Sequence, residues 1–266
     1  MNDFNAVAFY VVAHLDDWQL FMNPNATQDL TDETVKVVFI HTTGDDAGEE
    51  EFFWRAKEEA VIASIKTRLS PLRPLEEVRD TGVFNGHIVH RWTGANAMCY
   101  FMRVPDGNGG TGFPRYGYQS LHRLRLGEID VATTVDQSAE YVGWQDFVDT
   151  LAAIVDAEAE GIPSSGIDHP ETNELLNPGD HSDHVTTGLA LEAMSNYADY
   201  RRFLHVGYSI LDSPPDLFGE DLYWKVSEFS SYDKVVFDLA GHSTVGENPP
   251  VYIGFCLRGA KFRALQ

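Results

Sequence analysis

The sequence is poor in cysteine and has no long apolar run. It contains two cysteines, Cys99 and Cys256, in 266 residues. They form neither a metal-spaced pair nor a disulfide framework, and the sequence alone does not decide whether they are joined. No stretch approaches the roughly 18 consecutive apolar residues of a membrane-spanning helix, and no basic segment precedes the first apolar run, as it would in a signal peptide. We therefore expect a cytoplasmic protein that does not insert into membranes.

Basic residues are also scarce. The chain has 19 lysines and arginines against 41 aspartates and glutamates, which gives a formal net charge of −22 and a pI near 4.6. Such a surface repels phosphate backbones and anionic lipids, which argues against a nucleic-acid or membrane partner. A small-molecule substrate that is neutral or cationic fits the charge better. The composition leaves open whether identical chains associate.

Apolar runs alternate with segments of helical spacing along the chain. Strands are predicted at 6–13, 35–41, 97–104, 202–211, 234–239 and 251–257. Helices are predicted at about 49–69, 141–160 and 181–200. By contrast, 23–32 has the composition of turns, and 161–173 contains no apolar strand. Alternating strands and helices predict one α/β domain over 1–266, with a mostly parallel β-sheet and helices on both faces.

One long segment, at about 105–126, has no apolar periodicity and contains five glycines. Loops longer than about 12 residues in compact domains are usually functional or disordered. We expect this segment to form a lid or rim over the functional site. A mobile surface loop is the alternative.

Two clusters of ionisable residues carry the functional signal. The first, His14, Asp16 and Asp17, follows the apolar run that ends at Ala13. In open α/β sheets, ligands bind at the carboxyl ends of strands, so this position favours a site. The second cluster comprises Asp180 and the segment His181-Ser182-Asp183-His184. Each cluster alone has a simpler interpretation, a capped helix start with solvated acids, but their joint occurrence favours a split site.

Histidine and carboxylate ligands suit zinc above all, with another divalent transition metal such as iron or cobalt as the alternative, since these metals share the same ligand types. His14, Asp17 and His184 would complete a set of two histidines and one carboxylate, with a position left open for water. Asp16 would then act as the general base. His181 would meet the oxyanion of the reacting group, with Asp183 orienting that imidazole or raising its pKa.

Three further residues are weaker candidates for contact with substrate. Trp18 follows the first cluster and could form a pocket wall. His41 ends the second predicted strand. Arg115 lies in the predicted lid and could hydrogen-bond sugar hydroxyls, although a solvated charge is the alternative for that residue.

The two clusters together resemble the signature of the LmbE-like (PIG-L) zinc-dependent N-deacetylases. The family's first motif is A-H-P-D-D-E, and Ala13-His14-Leu15-Asp16-Asp17-Trp18 matches four of its six positions. Its second motif, H-P-D-H, is matched at three of four positions by His181-Ser182-Asp183-His184. The loop Thr43–Gly48 with Arg55 and Glu58 is similar to the family's T-x-G-x-x-G loop and R-x-x-E helix.

The resemblance implies a Rossmann-like fold, one zinc ion and removal of an acetyl group from an amino-sugar amide. It also implies His14, Asp17 and His184 as ligands, Asp16 as base and His181 as the electrostatic partner. Leu15 replaces the family's proline, and Trp18 replaces its glutamate. The alternatives are a metal-dependent hydratase or lyase on the same scaffold, and an inactive binding module in which Trp18 fills the site.

Overall fold

A computed structural model of the chain describes residues 4–265. Eight strands form one sheet. Their bounds are β1 Ala6–Val12, β2 Val35–Thr43, β3 Val78–Phe84, β4 His87–Gly94, β5 Ala97–Val104, β8 Ser165–Pro170, β9 Arg201–His205 and β10 Phe262–Leu265. Their order in the sheet is β10-β9-β8-β1-β2-β5-β4-β3. Strands β9, β8, β1, β2 and β5 run parallel to one another, whereas β10, β4 and β3 are antiparallel to their neighbours. A separate pair consists of β6 Val131–Thr133 and β7 Glu140–Val142.

Helices cover both faces of the sheet. Their bounds are α1 Asn25–Thr31, α2 Glu51–Leu69, α3 Leu121–Leu126, α4 Gly143–Ala159, α5 Ser182–Glu192, α6 Gly219–Ala240, α7 Thr244–Glu247 and α8 Pro249–Cys256. One apolar core joins the sheet to α2, α6 and α8 and includes Phe39, Ile65 and Phe229. The other joins it to α4 and α5 and includes Phe9 and Phe147. The predicted α/β class, with a mostly parallel sheet covered on both faces, is confirmed.

Five local predictions differ from the structure. The segment 161–173 contains β8, which pairs with β1 in the middle of the sheet. The segment 23–32 contains α1, and the strand predicted over 202–211 ends at His205. The runs 234–239 and 251–257 lie in α6 and α8. A short apolar run has the same composition in a buried strand and in a buried helix, so periodicity could not separate the two.

The sheet changes winding direction between β1 and β8. From β1 the chain continues to β2 on one side, whereas from β8 it continues to β9 on the other. The connections leaving these two neighbouring strands therefore diverge and leave a crevice at their carboxyl ends, which is where open α/β sheets bind ligands. The first predicted cluster follows β1 and the second follows β8.

The structure answers the question that the sequence left open about the two cysteines. Cys99 and Cys256 are both buried and are not bonded to each other. Among the helices of residues 4–265, none is both long and apolar enough to cross a bilayer.

Candidate metal centre

Asp17 is positioned by the turn that ends β1. Its Oδ2 accepts hydrogen bonds from the backbone amides of His14, at 2.7 Å, and of Ala13, at 3.1 Å. Both amides lie at the carboxyl end of β1, beyond the last backbone hydrogen bonds that pair this strand with its neighbours. With Oδ2 occupied in this way, Oδ1 is free to face the crevice. A π-helical turn over Trp18–Met22 then carries the chain away from the site.

His184 is positioned by the first turn of α5. Its Nδ1 lies 2.9 Å from Asp180 Oδ1, and Asp180 Oδ2 accepts a hydrogen bond from the Asn177 side chain at 2.7 Å. A carboxylate acceptor places the imidazole proton on Nδ1, which leaves the lone pair of Nε2 directed at the crevice. Asp180 belongs to the second predicted cluster, but the sequence indicates no separate role for this residue. Its position four residues before His184 is the sequence signal for the contact.

Three donor atoms converge at the end of β1. His184 Nε2 lies 3.0 Å from His14 Nδ1 and 3.0 Å from Asp17 Oδ1. His14 Nδ1 lies 3.7 Å from Asp17 Oδ1. A tetrahedral zinc with ligands at about 2.0–2.1 Å separates its donors by about 3.3 Å, so the spacing fits such an ion. All three predicted ligands are buried.

The charges around this point favour a cation. Burial by itself lowers the pKa of His184, but the carboxylates of Asp17 and Asp180 outweigh burial and raise it to about 10. Asp17 shows the converse: burial acts to raise its pKa, yet His184 and His14 hold it well below the usual value. Metal ions and protons compete for the same imidazole lone pair. The field that favours a proton here therefore also favours a metal ion.

A second group of possible ligands shares His14 and consists of that residue with Asp106, His181 and Asp183. His14 Nε2 lies 3.5 Å from Asp183 Oδ2 and 3.9 Å from Asp106 Oδ2. Asp183 is fully buried, and its Oδ2 accepts the backbone amide of Gly107 at 2.7 Å. Asp183 thus faces the outer nitrogen of His14, a contact that the sequence did not reveal.

His181 is the N-terminal cap of α5. Its Nδ1 accepts the backbone amide of Asp183 at 3.3 Å, so the neutral ring carries its proton on Nε2. We expected Asp183 to orient this imidazole or raise its pKa. Burial and the neighbouring charge of His14 instead lower the pKa of His181 to about 4, against the opposing effect of Asp183. His181 is therefore a neutral ring, and its Nε2–H donates to no group among residues 4–265.

Asp16 lies in the wall beside the converging donors. Its residue is 8% exposed, and among residues 4–265 no hydrogen-bond partner faces its carboxylate. Burial, followed by the charges of Asp45 and Asp17, raises its pKa to about 7. A carboxyl group with a pKa near neutrality and an unoccupied oxygen has the properties of a general base.

The loop after β2 and helix α2 supply one residue each, Asp45 and Lys57, for which the sequence indicated no role. Asp45 Oδ2 accepts the backbone amide of Leu15 at 3.1 Å, and Asp45 Oδ1 pairs with Lys57 Nζ at 2.5 Å. Asp45 has a φ of 52°, a left-handed conformation that is uncommon for residues other than glycine. This pair therefore fixes the turn that carries Asp16. Arg55 and Glu58, from the motif resemblance, lie elsewhere and pair with Glu51 and Arg103.

Two of the three converging residues, His14 and Asp17, line a cavity of about 580 Å³, a volume typical of small-molecule sites. His184 lies beside it and lines a small neighbouring pocket together with Asp17. The larger cavity takes its far wall from the last quarter of the chain, whose role the sequence did not indicate. The residues lining it are His14, Asp16, Asp17, Leu20, Phe21, Asp45, Ala47, Phe53, Lys57, Asp106, His181, Tyr208, Leu211, His242, Thr244, Glu247, Asn248, Val251, Tyr252 and Phe255.

The weaker candidates lie outside this cavity. Trp18 is fully buried and packs on Phe39 in the core, with ring centroids 4.8 Å apart, so it forms no pocket wall. His41 is also fully buried and stacks on Phe101; the hydrophobic surroundings of the sheet exclude it from substrate. Arg115 is half exposed and donates to the carbonyl of Gly48.

The segment 105–126 contributes little to the cavity. Asp106 is its one lining residue among those described. The stretch around Tyr116 packs on the loop before α2, with the Tyr116 hydroxyl donating to the carbonyl of Glu49. The segment therefore borders the site at one end. The wall that we expected from it is provided by α7 and α8.

Comparison with known proteins gives a distant structural likeness but no sequence relative. No family model matches the sequence, and no curated protein matches it. Among solved structures, the chain is similar to the crystal structure of GalB, the 4-carboxy-2-hydroxymuconate hydratase, from Pseudomonas putida KT2440. The TM-score is 0.42 and the sequence identity 10%, over 98% of this chain and 96% of that one. A likeness of this degree identifies neither a family nor a reaction.

Proposed function

We propose that this chain is a zinc-dependent N-deacylase of the LmbE-like (PIG-L) type, which removes an acetyl or other acyl group from an N-acylated amino sugar or related small amide. The observation that carries the proposal is the convergence of His14 Nδ1, Asp17 Oδ1 and His184 Nε2, at 3.0–3.7 Å from one another, at the edge of a cavity that His14 and Asp17 line. The motif resemblance of both clusters supports the same assignment. The two cysteines, which are free and buried, accord with the cytoplasm as the proposed location.

The chain's own residues have distinct parts in this reaction. His14, Asp17 and His184 would hold the ion, which supplies a Lewis acid and lowers the pKa of a water molecule. Asp16, whose carboxylate has no hydrogen-bond partner among the described residues, accepts a proton from the attacking water. His181 directs its free Nε2–H at the oxygen of the amide carbonyl, where negative charge develops.

The position of Trp18 argues against the alternative of an inactive binding module whose site is filled by this side chain. An indole that filled the site would leave no room for a substrate. Trp18 instead packs in the core beneath the π-helical turn, and the cavity beside it has about 580 Å³. Asp180 supplies His184 with the buried carboxylate partner that metal-ligating histidines commonly have. These observations support an active centre.

Elemental analysis of the purified protein tests the metal site. We expect about one transition metal per chain in the wild type and none in His14→Ala. The matched control is His122→Ala, which removes an imidazole from a partly buried position outside the cavity lining and should keep the metal. A wild-type protein that contains no metal and takes up no zinc would overturn the proposal.

Product analysis tests the reaction. The zinc-loaded protein is incubated with a panel of N-acetylated amino sugars and small amides, and free acetate and free amine are measured together. Their release in equal amounts is expected. Hydration or elimination of an unsaturated substrate, with no acetate from any amide, would instead establish the hydratase or lyase alternative.

A further inference from the structure

His14 presents its second ring nitrogen to another group of possible ligands. His14 Nε2 lies 3.5 Å from Asp183 Oδ2 and 3.9 Å from Asp106 Oδ2, and His181 Nδ1 lies 3.8 Å from the same oxygen of Asp183. One donor atom from each of the four residues lies within 4.8 Å of all the others. Two imidazoles and two carboxylates make a set that suits a divalent transition metal.

The distances within this group are too long for hydrogen bonds. N–H···O bonds in proteins measure about 2.7–3.2 Å, and the contact from Asp180 to His184 measures 2.9 Å. Asp183 therefore does not support His14 in the way that Asp180 supports His184. Separations of 3.5–3.9 Å are instead close to the spacing of about 3.3 Å between two donors of one tetrahedral zinc ion.

Two buried atoms of this group have no hydrogen-bond partner among residues 4–265. They are His14 Nε2 and Asp183 Oδ1, and both residues are less than one-tenth exposed. Buried polar atoms are normally paired with another polar group or with water. An ion between His14 and Asp183 would pair the imidazole nitrogen with the carboxylate.

The surrounding charges favour a cation at this point. Neither Asp106 nor Asp183 forms an ion pair with a lysine or arginine in the described part of the chain; their partners are histidines. Lys57 is the one lysine or arginine among the described residues that line the cavity, and Asp45 engages its ammonium group at 2.5 Å. The two carboxylates are therefore left without a fixed positive charge.

We propose that His14, Asp106, His181 and Asp183 form a second metal site, which binds a divalent transition metal such as zinc. His14 would bind one ion through Nδ1, together with Asp17 and His184, and the other through Nε2. His181 would bind through Nδ1, which keeps its proton on Nε2. Three of the four residues line the cavity, so the second ion would border the space for substrate.

The second ion should bind more weakly than the first. An imidazole that binds two ions must also give up its last proton, which leaves to the solvent. The purified protein then carries about one metal per chain, and the second site fills when zinc is added. The site shares His14 with the proposed catalytic centre, but it does not depend on the deacylase reaction.

Equilibrium dialysis of the full chain against increasing zinc, followed by elemental analysis, counts the sites. Millimolar calcium is present throughout, because it occupies surface carboxylates but does not suit imidazole ligands. We expect bound zinc to rise from about one to about two ions per chain.

Two variants locate the second ion. Asp106→Asn should lose the second equivalent of zinc and keep the first, since an amide oxygen can still accept the backbone amide of Asn108, as Asp106 Oδ1 does. Asp149→Asn is the matched control, because Asp149 is exposed on α4, and it should keep both equivalents.

Electron paramagnetic resonance of the copper-loaded protein tests the shared imidazole without a variant. Copper(II) binds nitrogen and oxygen donors more tightly than zinc does, and two copper ions joined by one imidazolate couple magnetically. The signal should grow with the first equivalent of copper and diminish with the second. A signal that doubles would show that the two ions have no common ligand and would overturn the shared site.

The outcomes separate this site from the deacylase. Saturation at one zinc per chain, or a second equivalent that Asp106→Asn retains, would overturn the second site even if the protein releases acetate. A second equivalent that is lost in Asp106→Asn and kept in Asp149→Asn would support it, whether or not an amide substrate is found. A protein that binds no zinc would overturn both proposals.

Discussion

Asp180 and His184 face each other across the start of α5, with Asp180 Oδ1 2.9 Å from His184 Nδ1. The carboxylate is held in turn by the Asn177 side chain and by the backbone amide of Tyr208. The contact therefore ties a proposed metal ligand to the loop that follows β9. It fixes both the tautomer and the direction of the imidazole.

Asp180→Asn should weaken zinc binding by about 10- to 100-fold, because it removes the charge that orients His184 and increases its basicity. The affinity is measured by competition with a chelating dye. Asp149→Asn serves as the control, since Asp149 is exposed and pairs with Gln145 on the surface of α4. An unchanged affinity in Asp180→Asn would mean that His184 does not ligate the ion through Nε2.

Asp16→Asn should retain zinc and lose turnover by about 10²- to 10⁴-fold, the usual contribution of a positioned general base. The isosteric amide preserves the shape of the wall but cannot accept the proton. Metal content and acetate release are measured on the same sample, with His184→Ala as the comparison that should lose both. Normal turnover by Asp16→Asn would show that another group is the base.

Gly188→Ala should destabilise the protein by about 1–3 kcal/mol through overpacking. A Cβ at this position would lie 2.6 Å from the carbonyl oxygen of Pro170 and 2.6 Å from Thr172 Cγ2, so α5 must move away from β8. Because α5 carries His184, zinc binding should weaken as well. Urea unfolding monitored by circular dichroism gives the free energy of unfolding.

Gly166→Ala is the matched control for this prediction. Gly166 lies on β8, and the nearest atom to its added Cβ is 3.4 Å away, an ordinary van der Waals contact. A change of less than about 1 kcal/mol is expected. Similar losses in the two variants would contradict the close packing of α5 on β8.

The pH dependence of stability should include a contribution from His169. This ring is fully buried, Nδ1 donates to the carbonyl of Pro170 at 2.8 Å, and Nε2 accepts from the Tyr197 hydroxyl at 2.5 Å. Burial lowers its pKa to about 4, while Glu171 opposes the shift and Arg263 adds to it. The unfolded chain, with an ordinary histidine pKa near 6.5, therefore binds the proton more tightly.

Because of this difference in pKa, the free energy of unfolding falls as the solution becomes more acidic. The contribution of His169 is fully present above about pH 6.5 and is lost as the pH falls through 4, which amounts to about 3 kcal/mol. His169→Gln cannot titrate, so its free energy of unfolding should fall less steeply over this interval than that of the wild type. Tyr197→Phe keeps the imidazole and should retain the steep dependence. Parallel pH profiles for wild type and His169→Gln would contradict the buried neutral ring.

Local sequence patterns sufficed for the elements that are apolar and regular. Strands β1, β2 and β5 and helix α2 lie close to their predicted positions, because each buries a continuous apolar run or stripe. Strand β8 was missed because its interior is polar: Asp168 pairs with His205 at 2.6 Å, and His169 with Tyr197. Those partners are 37 and 28 residues away, and no local pattern indicates them.

In the candidate centre, too, local sequence patterns indicate some residues, whereas others are brought in only by contacts between distant parts of the chain. His14, Asp17 and His184 could be identified because each cluster has its own sequence spacing. Asp45, Lys57 and Asp106 reach the cavity only through the packing of the loop after β2, of α2 and of the end of β5. The wall from α7 and α8 was hidden for a further reason, since their apolar residues indicate strands as readily as helices.

The proposed metal ligands and the far wall of the cavity come from separate parts of the chain. The three converging donors come from the turn after β1 and from α5, whereas nine of the lining residues lie between Tyr208 and Phe255. A mutagenic library confined to 242–255 would therefore vary which molecules the cavity accepts while leaving the proposed metal ligands and their carboxylate supports intact. Under the proposed function, selection from such a library would redirect the protein towards new amides without changing the residues that carry the reaction.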